Sequence, residues 1–426
     1  ATAVLERLVD LAARRLELDP AELRRRNLLR PADFPATTAV GTTYDTGDYP
    51  RALAEALRIA GYDGLRAEQA RRRAAGERVV LGIGVGCYVE VTAGGAAREW
   101  ASVTVHADGS ATAAAGTSAH GQGHATAFGA LVADRLGIPA DRVRYVQSDT
   151  AVVPRGGGTG GSRSLQRGGS AVHAAAGVVL DRARELAADL LEAAPDDIVV
   201  TADGRLGVVG DPEQAVGWPE LAAAAAARGE RLHAELDAGQ GGPTYPFGSH
   251  VSVVEVDLET GLVRPVRHVA VDDCGTVLNP LLVRGQQHGG IAQGIGQVLW
   301  EHARFDPVGN PVTTTLATYS IPAAADLPDF EVASTETPTP HNPLGAKGVG
   351  EAGTVGAIPA VHNAVVDALA HLGVRHVEMP CTPERVWSAI RAAAAGDPGE
   401  GWREPPAWFA ALPVRAAAEP PGTSVL

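Results

Sequence analysis

The chain has 426 residues, 45% of them hydrophobic and 20% charged, which is enough for two or three domains with a sizeable core. Thirty-six basic residues against 50 acidic ones leave a net charge of −14, a balance that disfavours nucleic acid or an anionic membrane as the main partner. No stretch approaches the ~20 consecutive apolar residues of a membrane span, no charged-then-apolar leader opens the chain, and Cys87, Cys274 and Cys381 form no CxxC pair, so neither a zinc site nor an iron–sulfur cluster fits and a reduced cytoplasmic setting is the expectation.

The first residues already lie in an amphipathic helix, expected over 3–18 with Leu5, Leu8, Val9 and Ala12 on one face. The only methionine is Met379, so the chain reads as the back part of a longer polypeptide. Asp19-Pro20-Ala21-Glu22 starts a second helix, with Asp19 as N-cap, Pro20 in the first turn and Glu22 as capping-box partner. A Pro/Thr/Gly-rich connector over 31–49 leads to a helix over 50–60 and an Arg/Ala-rich solvated helix over 66–78. From Val79 the texture turns to strands, with glycines that argue for close backbone packing, then a hairpin around Asp108-Gly109. A glycine loop follows over 116–124, and a helix carrying Phe128, Leu131, Val132 and Leu136. A strand over 142–147, a long helix over 168–194, a short strand pair over 198–209 and a helix over 218–228 complete a first lobe.

The second lobe begins near Tyr245 with a hairpin turning at Glu259-Thr260-Gly261. Asn279-Pro280 breaks it before a helix over 283–299; a second hairpin turns at Gly309-Asn310; a helix over 357–372, a strand over 376–379 and a helix over 383–395 follow. Residues 397–426 are Pro/Gly/Ala-rich without periodicity, the composition of a loosely docked tail. Strands and helices mix without strict alternation, which predicts an α+β fold of two lobes, with segments 1–76, 77–240, 241–396 and 397–426.

Four glycine-rich loops carry the chemistry: GTSAHGQGH (116–124), RGGGTGGSRS (155–164), NPLLVRGQQHGG (279–290) and GAKGVGEAG (345–353). None is a Walker loop or a GxGxxG fingerprint. Each lies beside an expected helix start, where bare backbone N–H groups and the helix dipole can cradle an anion; tight turns are the plainer reading of any one loop. Together they suit a large, extended, phosphate-bearing ligand gripped mostly by main chain. Thr159, Ser162 and Ser164 offer hydroxyls and Arg163 a fork for phosphate, or else a surface arginine among turn serines. Gln122 and Gln286 each follow a glycine, and their amides can both donate and accept, as a heterocycle with mixed edges requires. Glu351 is the only carboxylate in its loop, either a partner for the helix dipole or a general base in a tight, partly desolvated turn; Lys347 is the competing charged group. His120, His124 and His288 show no HxxxH or His–carboxylate spacing, so no metal held by protein side chains is expected. The absence of a Gly-x-Ser-x-Gly elbow argues against a serine hydrolase.

In this order the motifs GTSAHGQGH, GTGGSRS, VDDCGTVLNPLLVRGQQHGG and TPTPHNPLGAKGVGEAG resemble the large, molybdenum-binding subunit of the xanthine oxidase family, and most of all the aerobic carbon monoxide dehydrogenase branch with its related bacterial hydroxylases. LDPAELRRRNLL adds to the resemblance, which runs from the first residue to about 390. It implies a two-lobed molybdopterin-binding domain, preceded in 1–76 by the end of a first cofactor domain and a linker. The implied cofactor is molybdopterin in its cytosine dinucleotide form, its molybdenum held by the dithiolene. Gly121, Gln122, Gly123 and His124, Thr159 to Ser164 (with Gly160, Gly161, Ser162 and Arg163 between), Gln286, and Lys347, Gly348, Val349 and Gly350 would contact it, and Glu351 falls on the catalytic base. The implied partners are the upstream half of the large subunit, an FAD-binding medium subunit and a 2Fe-2S small subunit, in a cytoplasmic dimer of heterotrimers. The implied reaction oxidises a small molecule with oxygen from water, electrons passing to Fe-S and FAD. The loop that marks carbon monoxide oxidation lies in that upstream half, so aldehydes, N-heterocycles and carbon monoxide stay equivalent. This chain alone is expected to be inactive; a decayed member kept as a binding or assembly protein is the alternative.

Overall fold

The computed structural model describes residues 1–94, 98–239 and 241–397, so the expected tail lies outside the described residues except for Asp397. The fold is α+β, built on two four-stranded sheets. It opens with α1 (Thr2–Arg15) and α2 (Pro20–Asn27), the latter capped as expected by Asp19, whose carboxylate accepts from the amides of Ala21 at 2.8 Å and Glu22 at 3.2 Å. Glu22 does not close a capping box; it pairs with Arg25 and with Arg26 at 2.8 Å, two guanidinium groups that outbid a neutral amide. A two-residue ladder, β1 (Ala36–Thr37) with β2 (Thr43–Tyr44), interrupts the connector before α3 (Tyr49–Ala60) and α4 (Tyr62–Ala74).

β3 (Val79–Val89) is the strand whose place sequence alone misassigns. It follows the linker and precedes β4 (Glu99–Val105) and β5 (Ala111–Ala115), yet it pairs with neither. It runs antiparallel to β11 (Phe247–Asp257) over its whole length, from Val79↔Asp257 to Val89↔Phe247, so it belongs to the second sheet, in the order β13-β12-β11-β3. Here β12 (Val263–Asp273) makes the expected hairpin with β11, and β13 (Phe330–Thr335) lies parallel to β12. The alternating glycines of β3 face α9 (Ala352–Leu369): a Cβ at Gly82 or Gly84 would collide with the carbonyl oxygens of Ala364 or Ala360. The same strand's Leu81, Ile83 and Val85 point the other way, against Leu53 and Leu57 of α3. The sheet is thus sandwiched, with α9 and α8 (Pro280–Leu299) on one face and α3 on the other.

The first sheet has the order β10-β4-β5-β6, with β10 (His233–Ala238) and β6 (Val143–Val146) at its edges. Its inner face packs on α5 (His124–Leu136) and α6 (Ser170–Leu191), where Val103 and Val105 meet Phe128, Val132, Val172 and Val179. The strand pair expected at 198–209 is a three-stranded sheet of β7 (Ile198–Val200), β8 (Leu206–Val208) and β9 (Asp211–Val216), followed by α7 (Trp218–Ala227). Two other expectations are corrected. Gly309-Asn310 makes a turn with a single bridge, Phe305↔Pro311, instead of a hairpin. Residues 374–380 are irregular, tied to α9 by His362 Nε2 on Val377 O at 2.7 Å, before α10 (Pro383–Ala394). By length and composition the segment Ala352–Leu372, which includes α9, could cross a bilayer, but 67% of its most apolar stretch is buried inside the protein.

Candidate functional site

The loop after β5 turns at Gly123 (φ +75°) into α5, so His124 stands in the first turn of that helix. The loop is braced by Gln147, just past the end of β6, whose Oε1 accepts from Ala119 N at 3.0 Å. The loop over 155–164 packs on it backbone to backbone, since a Cβ at Gly156 would overlap Gly116, and Thr159 Oγ1 donates to Ser118 O at 2.6 Å. Behind both, buried Glu99 accepts from Gly157 N at 3.2 Å. The loop before α9 crosses from the second sheet: Lys347 N donates to Cys274 O at 2.7 Å, and Gly348 lies so close to Ser162 O that no side chain fits there. Ser162 then joins the two lobes. Its Oγ donates to Glu351 Oε2 at 2.8 Å and accepts from Glu351 N at 3.1 Å.

The expected third loop, 279–290, is corrected. Asn279 caps α8, accepting from Leu282 N at 3.1 Å, and the rest of the segment is helix. The glycine at 290 serves helix packing, its α-carbon facing Gly353 and Thr354 of α9. Gln286 is therefore presented from a helix.

These elements enclose a cavity of about 310 Å³, lined by Gln122, His124, Thr159, Gly160, Gly161, Ser162, Ser164, Gln286, Lys347, Gly348, Val349, Gly350 and Glu351. α5, α8 and α9 and the π-helical turn before α6 (Leu165–Gly169) all begin at its wall, which brings four helix N-termini to one space. At Gly160 and Gly161 a Cβ would stand in open space, so bare main chain faces the cavity. The Nδ1 of His124 is buried without a hydrogen-bond partner among the described residues, and burial lowers this imidazole's pKa and keeps it neutral. The Gln286 amide makes no hydrogen bond to protein among the described residues, whereas Gln122 Oε1 is taken by His120 N within its own loop. Unpaired donors, bare amides and converging dipoles suit a long anionic ligand with polar edges. A molybdopterin cofactor-binding domain model matches residues 55–328. The chain belongs to that family.

Three relatives give the molybdopterin-binding chain its neighbourhood. It is 38% identical to the carbon monoxide dehydrogenase large chain of Hydrogenophaga pseudoflava over 92% of this chain and 51% of that one. It superimposes on reconstituted CO dehydrogenase from Oligotropha carboxidovorans with a TM-score of 0.88 at 35% identity, covering 93% of this chain and 51% of that one. For quinoline 2-oxidoreductase from Pseudomonas putida 86 the values are 0.86 and 38%, covering 92% and 52%. In each case the chain spans about half the length of the relative.

Three of the residues expected at the cofactor do not line the cavity. Gly121 and Gly123 shape the turn behind it; a Cβ at Gly123 would come within 2.6 Å of Leu282. Arg163 turns back on its own loop, its guanidinium donating to the carbonyl oxygens of Gly157 and Gly158. Lys347 does line the wall, but its ammonium is spoken for. It is 1% exposed, donates to Thr46 O at 3.1 Å and lies 5.2 Å from the Phe247 ring; burial lowers its pKa against the opposing pull of Asp273. Glu351 is exposed at the mouth, more open than the desolvated turn expected. An apolar wall of Phe128, Leu165, Leu278, Leu282 and Val283 was missed, although the LNPLLV run announces part of it. Glu90, whose carboxyl contacts Glu351, was missed too, because nothing in a strand end distinguishes it. Among the described residues no group of three or more His, Cys, Asp or Glu is placed to hold a metal.

Proposed function

We propose that this chain is the C-terminal part of the catalytic subunit of a molybdenum hydroxylase, holding molybdopterin in the inter-lobe cavity with Glu351 as general base. The observation that carries the reading is the convergence of four helix N-termini and three glycine loops on one cavity with a carboxylate at its mouth. When bound, the group supplies a molybdenum centre that accepts two electrons from the substrate while water furnishes the oxygen. The chain's own part is to hold and to move a proton. Main chain at 160–161 and 348–350, with the hydroxyls of Thr159, Ser162 and Ser164, grips phosphate and pterin oxygens. Gln286 and the neutral His124 meet the polar edge of the ring system, and the apolar wall excludes water. The Glu351 carboxylate, steered by Ser162 Oγ at 2.8 Å, takes the proton released as oxygen attacks substrate.

The names of the relatives place carbon monoxide and an N-heterocycle among the substrates of such enzymes; aldehyde, N-heterocycle or carbon monoxide is the class for this one. The reading includes the cytosine dinucleotide form of the cofactor, residues 1–76 as the end of a preceding cofactor domain, and a cytoplasmic assembly with FAD and 2Fe-2S subunits. In that complete assembly Glu351→Gln keeps size and most hydrogen bonds but loses the proton acceptor. Turnover falls at least ~10²-fold with molybdenum content unchanged. Near-normal turnover in the variant would remove Glu351 from the mechanism.

A further inference from the structure

β3 ends at Val89, and the next residue, Glu90, leaves the sheet with its amide bonded to Pro246 O at 2.9 Å. Its carboxyl lies in hydrogen-bond contact with that of Glu351. Its Oε2 is buried, and no donor reaches it among the described residues. The groups around it offer no compensation. Asp272 of β12 is a second carboxylate acting on Glu90, and Tyr88 of β3 spends its hydroxyl on Asp272 at 2.7 Å. Lys347, on the same loop as Glu351, directs its ammonium to Thr46 O. Two carboxylates in contact, one of them buried without a donor, are stable only if a proton lies between them.

We propose that Glu90 and Glu351 share one proton, and that Glu90 is its resident holder and so a positioning residue that keeps Glu351 ionised and aimed at the cavity. This rests on the reading of Glu351 as base. The asymmetry of the pair decides where the proton lives. Glu90 is half-buried with its Oε2 out of solvent, whereas Glu351 is exposed and already receives a hydrogen bond from Ser162 Oγ. The neutral member is therefore the inner one, and the negative charge stays on the outer one, at the cavity mouth. Burial first, then the charge and hydrogen bond of Glu351, push the Glu90 carboxyl up to about 8. Below that pH the pair carries one charge; above it Glu90 releases its proton to solvent, and the two charges repel, which drives Glu351 off its position.

Infrared pH titration of the chain with carboxyl-labelled glutamate reads the pair without cofactor. The expected result is a protonated-carboxyl band at neutral pH that titrates with a midpoint near 8. The band is lost in Glu90→Gln, and in Glu351→Gln its midpoint falls by more than ~1 unit toward the ordinary glutamate value. In the complete assembly Glu90→Gln, an uncharged mimic of the protonated form, abolishes the alkaline inflection of kcat/KM; a merely structural contact would leave that inflection in place. A wild-type chain without the band, or a band that survives Glu90→Gln, overturns the proposal. The two readings separate cleanly. If the band behaves as expected but Glu351→Gln retains turnover in the assembly, the pair stands and the base assignment falls. If the band is absent while Glu351→Gln abolishes turnover, the base stands and the pair falls.

Discussion

Arg163 shows how a side chain can have the right type in the right loop and still do different work. In RGGGTGGSRS five glycines leave carbonyl oxygens with nothing to cover them, and the guanidinium folds back onto two of these, at Gly157 and Gly158, with buried Glu99 on the far side. Its task is to close the loop that presents Gly160 and Gly161. Arg163→Ala then lowers cofactor occupancy in the complete assembly by roughly fivefold, the worth of about one hydrogen bond. Arg163→Lys, which keeps the charge but not the fork, does not restore it. Rescue by lysine, read as molybdenum per assembly, would instead put a phosphate against this side chain. The residue types of the site were legible in the sequence because glycine, hydroxyl and amide at a helix start have few other uses. Direction was not legible, since whether Arg163 points into the cavity depends on which carbonyl groups its own loop leaves unpaired.

At the scale of elements, most helices and strands were legible from period and caps, but two edge strands were not. β10 (HAELDA) and β13 (FEVAST) are edge strands, half-exposed, with acidic residues that blur any alternation; each is a strand only because β4 or β12 offers a ladder. The segment after α9 is the reverse case. Residues 376–379 look like a strand but find no partner strand, and side chains hold them instead, Arg385 donating to Met379 O at 2.7 Å and His362 to Val377 O. His362 donates Nε2–H to Val377 O, while its Nδ1 is buried without a partner among the described residues. Protonating that nitrogen would bury a cation beside Arg7, and burial first, then Arg7, lower the His362 pKa from 6.5 to about 3. The unfolded chain therefore binds the proton that the folded chain refuses. This contribution to stability is complete above 6.5 and is lost as pH falls from there toward 3, in total about 5 kcal/mol. His362→Gln, which can still donate to Val377 O, should flatten the acid limb of a plot of melting temperature against pH. An unchanged limb would mean that other groups carry the acid sensitivity.

For the molecule as a whole, the α+β class follows from mixed texture, but the lobe boundary required pairing information: β3 sits next to β4 in sequence and next to β11 in space, through an eleven-residue ladder. The first helix raises a larger question. An amphipathic helix is expected to bury its leucines, yet in α1 Leu5 and Leu8 are 61% and 57% exposed, while Glu6 and Arg7 are buried. The buried side is ionic: Arg24 binds Glu6 and Asp10, each at 2.8 Å, and Arg7 donates to Asn363 of α9 at 2.8 Å. The helix is thus fixed from its polar side, with its apolar face turned outward. The segment after α8 likewise leaves Phe305, Val308, Leu316 and Ile321 each 60% exposed or more. Surfaces of this kind mark interfaces, and the relatives are about twice as long as this chain. We propose that the other half of such a large subunit covers both segments and completes the cofactor clamp. The lone chain should then associate with itself in light scattering and hold far less than one molybdenum. Leu5→Glu with Leu8→Glu should make it more monodisperse while weakening capture of a co-expressed upstream half. A lone chain that is monomeric and carries stoichiometric molybdenum would show that nothing docks there, because both the exposed leucines and the half-built clamp would then have to be features of a finished molecule.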